Sequence, residues 1–235
     1  MNPRLTALLL ILAAVLANVA FTALGSIFNY PDVLDEPAGQ VLASFRAHEG
    51  AVSTWFTVLA LSAGLLAPVA IGVGRLSAAP AMRKAVWVGI AAAAVQVVGL
   101  LRWPILVPGY ASDAASGDPT VAAGARDAFR TASDILGTTI GETLGYLLTA
   151  VWTALVVVAL GRRFGRWFSA LGLVSAVMVF AGVLSPLDLP VVDTANFLGY
   201  VLWSIWLIAF GVVILMRERR ASAAASRSER AAVIS

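Results

Sequence analysis

The sequence predicts an all-α membrane protein: a bundle of six transmembrane helices, both termini cytoplasmic, with a short amphipathic helix in the first outer loop. Three observations predict it. Hydrophobic residues make up 60% of the 235 and charged residues only 12%, against about 25% charged in soluble domains. Six apolar runs come close to or exceed the roughly 20 residues that a helix needs to cross hydrocarbon. The connections between those runs sort by the sign of their charge.

The runs cover residues 5–27, 52–74, 85–107, 137–160, 167–184 and 197–216, and define a transmembrane domain over 1–216. The first follows Arg4 and resembles a secretory signal only superficially. It is longer than the 7–15 residues of a signal core and no small-x-small cleavage site ends it, so it reads as a true span. One set of connections carries Arg4, Arg75, Arg83, Lys84, Arg162, Arg163, Arg166, Arg217, Arg219, Arg220, Arg227 and Arg230, against only Glu218 and Glu229. The opposite set carries Arg46, Arg126 and Arg130 against Asp32, Asp35, Glu36, Glu49, Asp113, Asp118, Asp127, Asp134, Asp188 and Asp193. Basic loops stay in the cytoplasm, so the acidic connections are expected outside and the protein in the cytoplasmic membrane. The net charge of +3 then reflects topology, not nucleic-acid binding.

The first outer loop, residues 28–51, opens with FNYPDVLDEP, where Pro31 and Pro37 block helix continuation. Residues 38–48 follow as an amphipathic helix, with Val41, Leu42 and Phe45 on one side and Arg46, His48 and Glu49 on the other, expected as a lid over the helix ends. The second outer loop, 108–136, turns helical near Pro119 with Val121, Ala125, Phe129 and Ile135 as a weak apolar face. The third, 185–195, is short and Pro-rich. Residues 217–235 are rich in Ala, Ser and Arg and are expected to be a disordered cytoplasmic tail drawn to anionic lipid.

The fourth span carries the chemistry. Gly137, Gly141 and Gly145 recur every fourth residue and permit close helix approach, within the chain or in a homo-oligomer. Glu142, Tyr146, Thr149 and Thr153 form a polar-tipped stripe. A carboxylate at membrane depth is costly and needs a partner. Counting residues along the third and fourth spans puts Arg102 and Glu142 at one level, each about 7 Å below the outer surface. A pair between them is expected, as structural glue or as a functional group. Trp103, Tyr146, Asn196, Tyr200 and Trp203 gather near that level, ringed by Asn29, Tyr30, Trp55, Asp188 and Asp193. Asn18 and Gln96 lie near the bilayer centre and either extend a polar track or bond between helices. Cysteine is absent and His48 is the single histidine, which excludes disulfides and imidazole-pair metal sites. There is no P-loop, no G-x-S-x-G and no H-E-x-x-H, and no cofactor is predicted.

Four segments carry a family likeness: FNYPDVLDEPAGQVL (28–42), LRWPILVPGYA (101–111), GETLGYLLTAVWTALV (141–156) and LGYVLWSIWLIAFGVVIL (198–215). The chain resembles, to about Met216, a family of bacterial, mainly actinobacterial, six-helix integral membrane proteins of unknown function. In that family the residue after the Glu142 equivalent is often histidine; here it is Thr143. The resemblance implies the topology and no activity, and the departure at Thr143 speaks against Glu–His chemistry.

Three functional classes fit these residues. The first is a binding or accessory protein holding a lipid or lipophilic small molecule in an outward-opening pocket, with Glu142, Arg102, Trp103, Tyr146, Asn196, Tyr200 and Trp203 around it. The second is an intramembrane enzyme, isomerase or cyclase in type, with Glu142 as catalytic acid or base. The third is a transporter, which asks for acids or broken helices across the midplane, where only Asn18 and Gln96 lie.

Overall fold

The computed structural model describes residues 1–187 and 189–234, with side chains described through residue 223 except at 190. Asp188, expected at the rim, lies outside the described residues. No strand occurs among the described residues. Six helical stretches are long and apolar enough to cross a membrane: α1 (Pro3–Phe28), the pair α3 (Glu49–Gly64) and α4 (Leu66–Gly74), the pair α5 (Pro80–Ile105) and α6 (Val107–Ala114), α7 (Pro119–Ala132) running through to α8 (Gly145–Phe164), α9 (Arg166–Ala181) with the 3-10 segment Gly182–Leu187, and α10 (Pro190–Ile234). Consecutive spans are neighbours and α10 packs back on α1, so the six close into a ring. One end of the ring carries the arginine-rich connections and the other the acidic ones.

Local chemistry sets each boundary. Asn2 caps α1 through its Oδ1, which accepts from the Arg4 amide at 2.9 Å, and Pro3 occupies the first turn. Asn29 ends the helix in the left-handed region at φ 53°. Pro68 lacks an N–H and crowds the Gly64 carbonyl, which accounts for the break between α3 and α4. Asp118 caps α7, its Oδ1 accepting from the Thr120 amide at 2.8 Å. Gly165 alone joins α8 to α9, and its φ of 95° is one that a side chain disfavours.

The arginine end is apolar inside. Trp152 and Trp206, both 0% exposed, meet edge-to-face at 6.0 Å and fill the middle of the ring above Phe164, Phe168 and Phe210. Arg217 on α10 lies over the Phe164 ring at 4.2 Å and donates to the Arg163 carbonyl at 2.8 Å. Arg4 donates to Ser222 at 3.2 Å. α10 therefore runs on as helix past residue 217, where the sequence suggested an irregular tail, because these arginines tie its extension to the bundle.

The acidic end is larger than the sequence suggested. α7 begins at Pro119, where the sequence predicts the second outer loop to turn helical, but α5 also continues through α6 to Ala114, so that α6 and α7 form a hairpin. The amphipathic helix α2 (Ala38–Ala47) lies against both, with Val41, Leu42 and Phe45 buried beside Phe28, Phe56, Trp103 and Phe129. α2, α6 and α7 together make a helical cap over the bundle. The buried face of α7 is Ala122, Ala125 and Phe129; Val121 and Ile135, expected there, are exposed. The helix is rotated so that small alanines let it approach its neighbours.

Between α7 and α8 the chain winds as a π-helix over Ser133–Leu144, and the Thr139 hydroxyl donates to the Asp134 carbonyl five residues back, at 2.9 Å. Here the glycine stripe meets α5 within the chain. A Cβ placed on Gly99 would lie 2.6 Å from the Gly141 Cα and 2.8 Å from the Leu136 carbonyl oxygen. Gly99→Val is therefore expected to lower stability by about 1–3 kcal/mol or more, read as reduced Tm in detergent. Gly124→Ala on α7, where a Cβ meets nothing within 4 Å, should raise stability by about 0.5–1 kcal/mol. Equal effects of the two would contradict the packing.

Candidate functional site

The crossing of α5 with the π-helix builds the site. Three residues beyond Gly99, Arg102 turns into the bundle and is 6% exposed. Its Nη1 donates to the Gly99 carbonyl at 2.6 Å, while its Nε is buried without an acceptor. Gly137 provides the slot for the guanidinium: a Cβ there would lie 2.7 Å from Nη2. The same face continues at Gly145, which accommodates Gln96. All three glycines of the fourth span are thus occupied by α5, the partner that the sequence left open between another chain and this one.

Glu142 is half-buried. Among the described residues no ion pair joins it to Arg102 within 4.0 Å; the one ion pair is Arg130–Asp127, on the surface of α7. The direct pair expected between Glu142 and Arg102 is replaced by an interaction at longer range, because the Gly99 carbonyl and the Gly137 slot hold the guanidinium in place. Glu142 is also within electrostatic reach of Tyr30, Tyr146 and Tyr200, and of Asp193 at the start of α10. Tyr30, in the turn after α1, packs edge-on against Phe56 at 5.2 Å and Phe21 at 5.5 Å. Burial holds its phenol above the ordinary range, with the Glu142 carboxylate adding to the shift and Arg102 opposing it. Tyr30 therefore stays a neutral hydrogen-bonding group. Tyr146 and Tyr200 meet at 5.8 Å.

The other expected residues divide. Asn196 is buried, and its Nδ2 donates to the Val179 carbonyl at 2.9 Å, fastening α10 to the end of α9. Trp203 donates to the Thr153 hydroxyl at 2.8 Å. Trp103 meets the group on one side only, where the Arg102 guanidinium lies over its ring at 5.2 Å. It is 0% exposed, stacked on Phe56 at 4.7 Å and 7°, and sits at the centre of the aromatic core beneath the cap. Gln96 donates to Thr149 at 3.2 Å, and Asn18 to Ser204 at 2.9 Å. These bonds lie in different interfaces, α5–α8 and α1–α10, so the two amides form interhelical ties and no common track. Tyr30, which the sequence placed only at the rim, comes within electrostatic reach of Glu142 and Arg102. Its position within one turn of the end of the first span was the available signal.

Arg102 and Glu142 are close enough to influence each other yet not bonded. A double-mutant cycle of Arg102→Met and Glu142→Gln is expected to give a coupling of about 1 kcal/mol, measured by equilibrium unfolding in detergent. A coupling near the 3–5 kcal/mol lost on breaking a direct buried pair would contradict this geometry.

No curated protein and no solved structure matches the chain. The model of the family described as Domain of unknown function (DUF4386) matches residues 5–211, and the chain belongs to that family.

Proposed function

We propose that this multi-pass membrane protein is a binding protein that holds a lipid or lipophilic small molecule, with the polar group of its ligand at Glu142, Arg102 and the flanking tyrosines. One observation carries the reading. Arg102 keeps its Nε without an acceptor, and Glu142 accepts no hydrogen bond from the described residues and forms no ion pair with Arg102. Unmet groups of this kind at membrane depth cost several kcal/mol. A ligand with an acceptor for Arg102 and a donor for Glu142 would relieve both. The two opposite charges already balance, so a neutral head suits the site better than an ion. The rings of Tyr30, Tyr146 and Tyr200 suit an apolar body beside it. The packed middle of the ring at Trp152 and Trp206 supports a site entered from one end over a path through the protein.

The charge pattern supports the placement. Arginine-rich connections favour the cytoplasmic side, so both termini would lie in the cytoplasm, the α2–α6–α7 cap outside, and the site in the outer half of the cytoplasmic membrane.

Two measurements test this. Protein purified in nanodiscs and extracted for mass spectrometry should yield one stoichiometric lipophilic molecule. Folded Glu142→Gln or Arg102→Met protein should retain it at least about tenfold less, the effect of losing roughly one hydrogen bond to a charged group. Identical extracts from all three would overturn the reading. The chain has no cysteine, so single substitutions report orientation cleanly. A membrane-impermeant maleimide should label Gly117→Cys on intact cells and label Ala221→Cys only after lysis. The reverse pattern would invert the topology.

A further inference from the structure

A second candidate site lies on the flank of the bundle and does not depend on the Glu142 reading. α1 exposes an apolar stripe that includes Leu12, Val15 and Val19. Beside it opens a groove of about 410 Å³ lined by Asn18, Val19, Thr22 and Ala23 of α1 and Trp55 of α3. Measured from the ends of α1 and α3 at Phe28 and Glu49, Asn18 lies about 15 Å deep and Trp55 about 9 Å deep at 1.5 Å per residue. Asn18 thus falls well inside a hydrocarbon layer roughly 30 Å thick, and Trp55 close to its edge. Water does not reach the depth of Asn18, so a polar atom there needs a partner.

The groove holds three that have none within the protein. Asn18 uses its Nδ2 on the Ala14 carbonyl at 2.7 Å and the Ser204 hydroxyl at 2.9 Å, while its Oδ1 accepts nothing from the described residues. The hydroxyls of Ser26, Thr54 and Thr57 each donate to the carbonyl four residues back. The Thr22 hydroxyl makes no such bond, and the Trp55 Nε1 donates to no described residue. One acceptor and two donors thus line a groove that is otherwise apolar.

We propose that this groove binds a neutral lipid bearing a hydroxyl group. One hydroxyl can donate to Asn18 Oδ1 and accept from Thr22 Oγ1 or Trp55 Nε1, while its hydrocarbon lies along Val19, Ala23 and the indole. A charged head has no counter-charge among the lining residues and is disfavoured at that depth. A phospholipid acyl chain would fill the space and leave all three polar groups unmet.

Brominated lipids quench tryptophan on contact and provide the probe. Full-length protein in phosphatidylcholine nanodiscs is titrated with dibromostearyl alcohol and, separately, with the methyl ester of the same dibrominated chain, which cannot donate a hydrogen bond. The alcohol should give saturable quenching at about fivefold lower concentration than the ester, the effect of roughly one hydrogen bond. Trp55→Phe should remove the saturable component. Asn18→Leu should abolish the preference for the alcohol. Thr22→Val, which alters an exposed residue, should weaken it without disturbing the fold. Equal potency of alcohol and ester on the unsubstituted protein would overturn the proposal, as would saturable quenching that survives Trp55→Phe.

Discussion

Two backbones in contact govern the acidic half of this protein. Gly99 of α5 and Gly141 of the π-helix meet where any side chain would collide with main chain, so the crossing is set by what the residues lack. From that point the rest of the site follows by counting along each helix. Arg102 lies one turn beyond Gly99, Gly137 one turn before Gly141, and the guanidinium fills the space that Gly137 leaves. Moving the crossing apart would free the arginine from its slot and the carboxylate from its neighbourhood together. The π-helix belongs to the same constraint. Its wider turns, often found at functional sites, let the chain pass α5 closely while delivering Glu142 to the tyrosines.

The electrostatic result differs from a buried salt bridge. The arginine is held by a backbone carbonyl and a glycine slot, and the carboxylate compensates it across a gap. Such an arrangement leaves hydrogen-bonding capacity unspent in a low-dielectric setting, where satisfied pairs are the rule. The arginine end offers the contrast. There Trp152, Trp206, Phe168 and Phe210 pack ring against ring, and Arg217 anchors α10 through a carbonyl and a ring. The arginine half of the ring is held by apolar and aromatic packing, and the acidic half carries the buried charged residue.

Legibility in the sequence follows the range of the interaction involved. Six spans could be read because a run of Leu, Val and Ala long enough to cross hydrocarbon is a local property. The amphipathic face of α2 could be read for the same reason, and Val41, Leu42 and Phe45 are its buried face. Arg102 and Glu142 could be placed at one level because depth is a count along each helix. The phase of α7 could not, since the choice of Ala122 over Val121 rests on how closely a helix approaches its neighbours. Trp103 shows the same limit. An aromatic near the membrane surface reads alike whether it meets a charged group or fills a core, and only the folded structure shows Trp103 doing both, packed among Phe28, Phe45, Phe56 and Phe129 with the Arg102 guanidinium over its ring.

Composition and periodicity alone thus dictate an all-helical membrane bundle, the number of its spans and the level of its charged residues, because each is a property of one segment measured against a layer of fixed thickness. Folding decided which helices touch, that the glycines of the fourth span face α5, that Arg102 and Glu142 stand near without bonding, and that Tyr30 joins them. Those outcomes depend on rotations and crossings of whole helices, which arise from packing between segments distant in the chain and leave no periodic trace in any one of them.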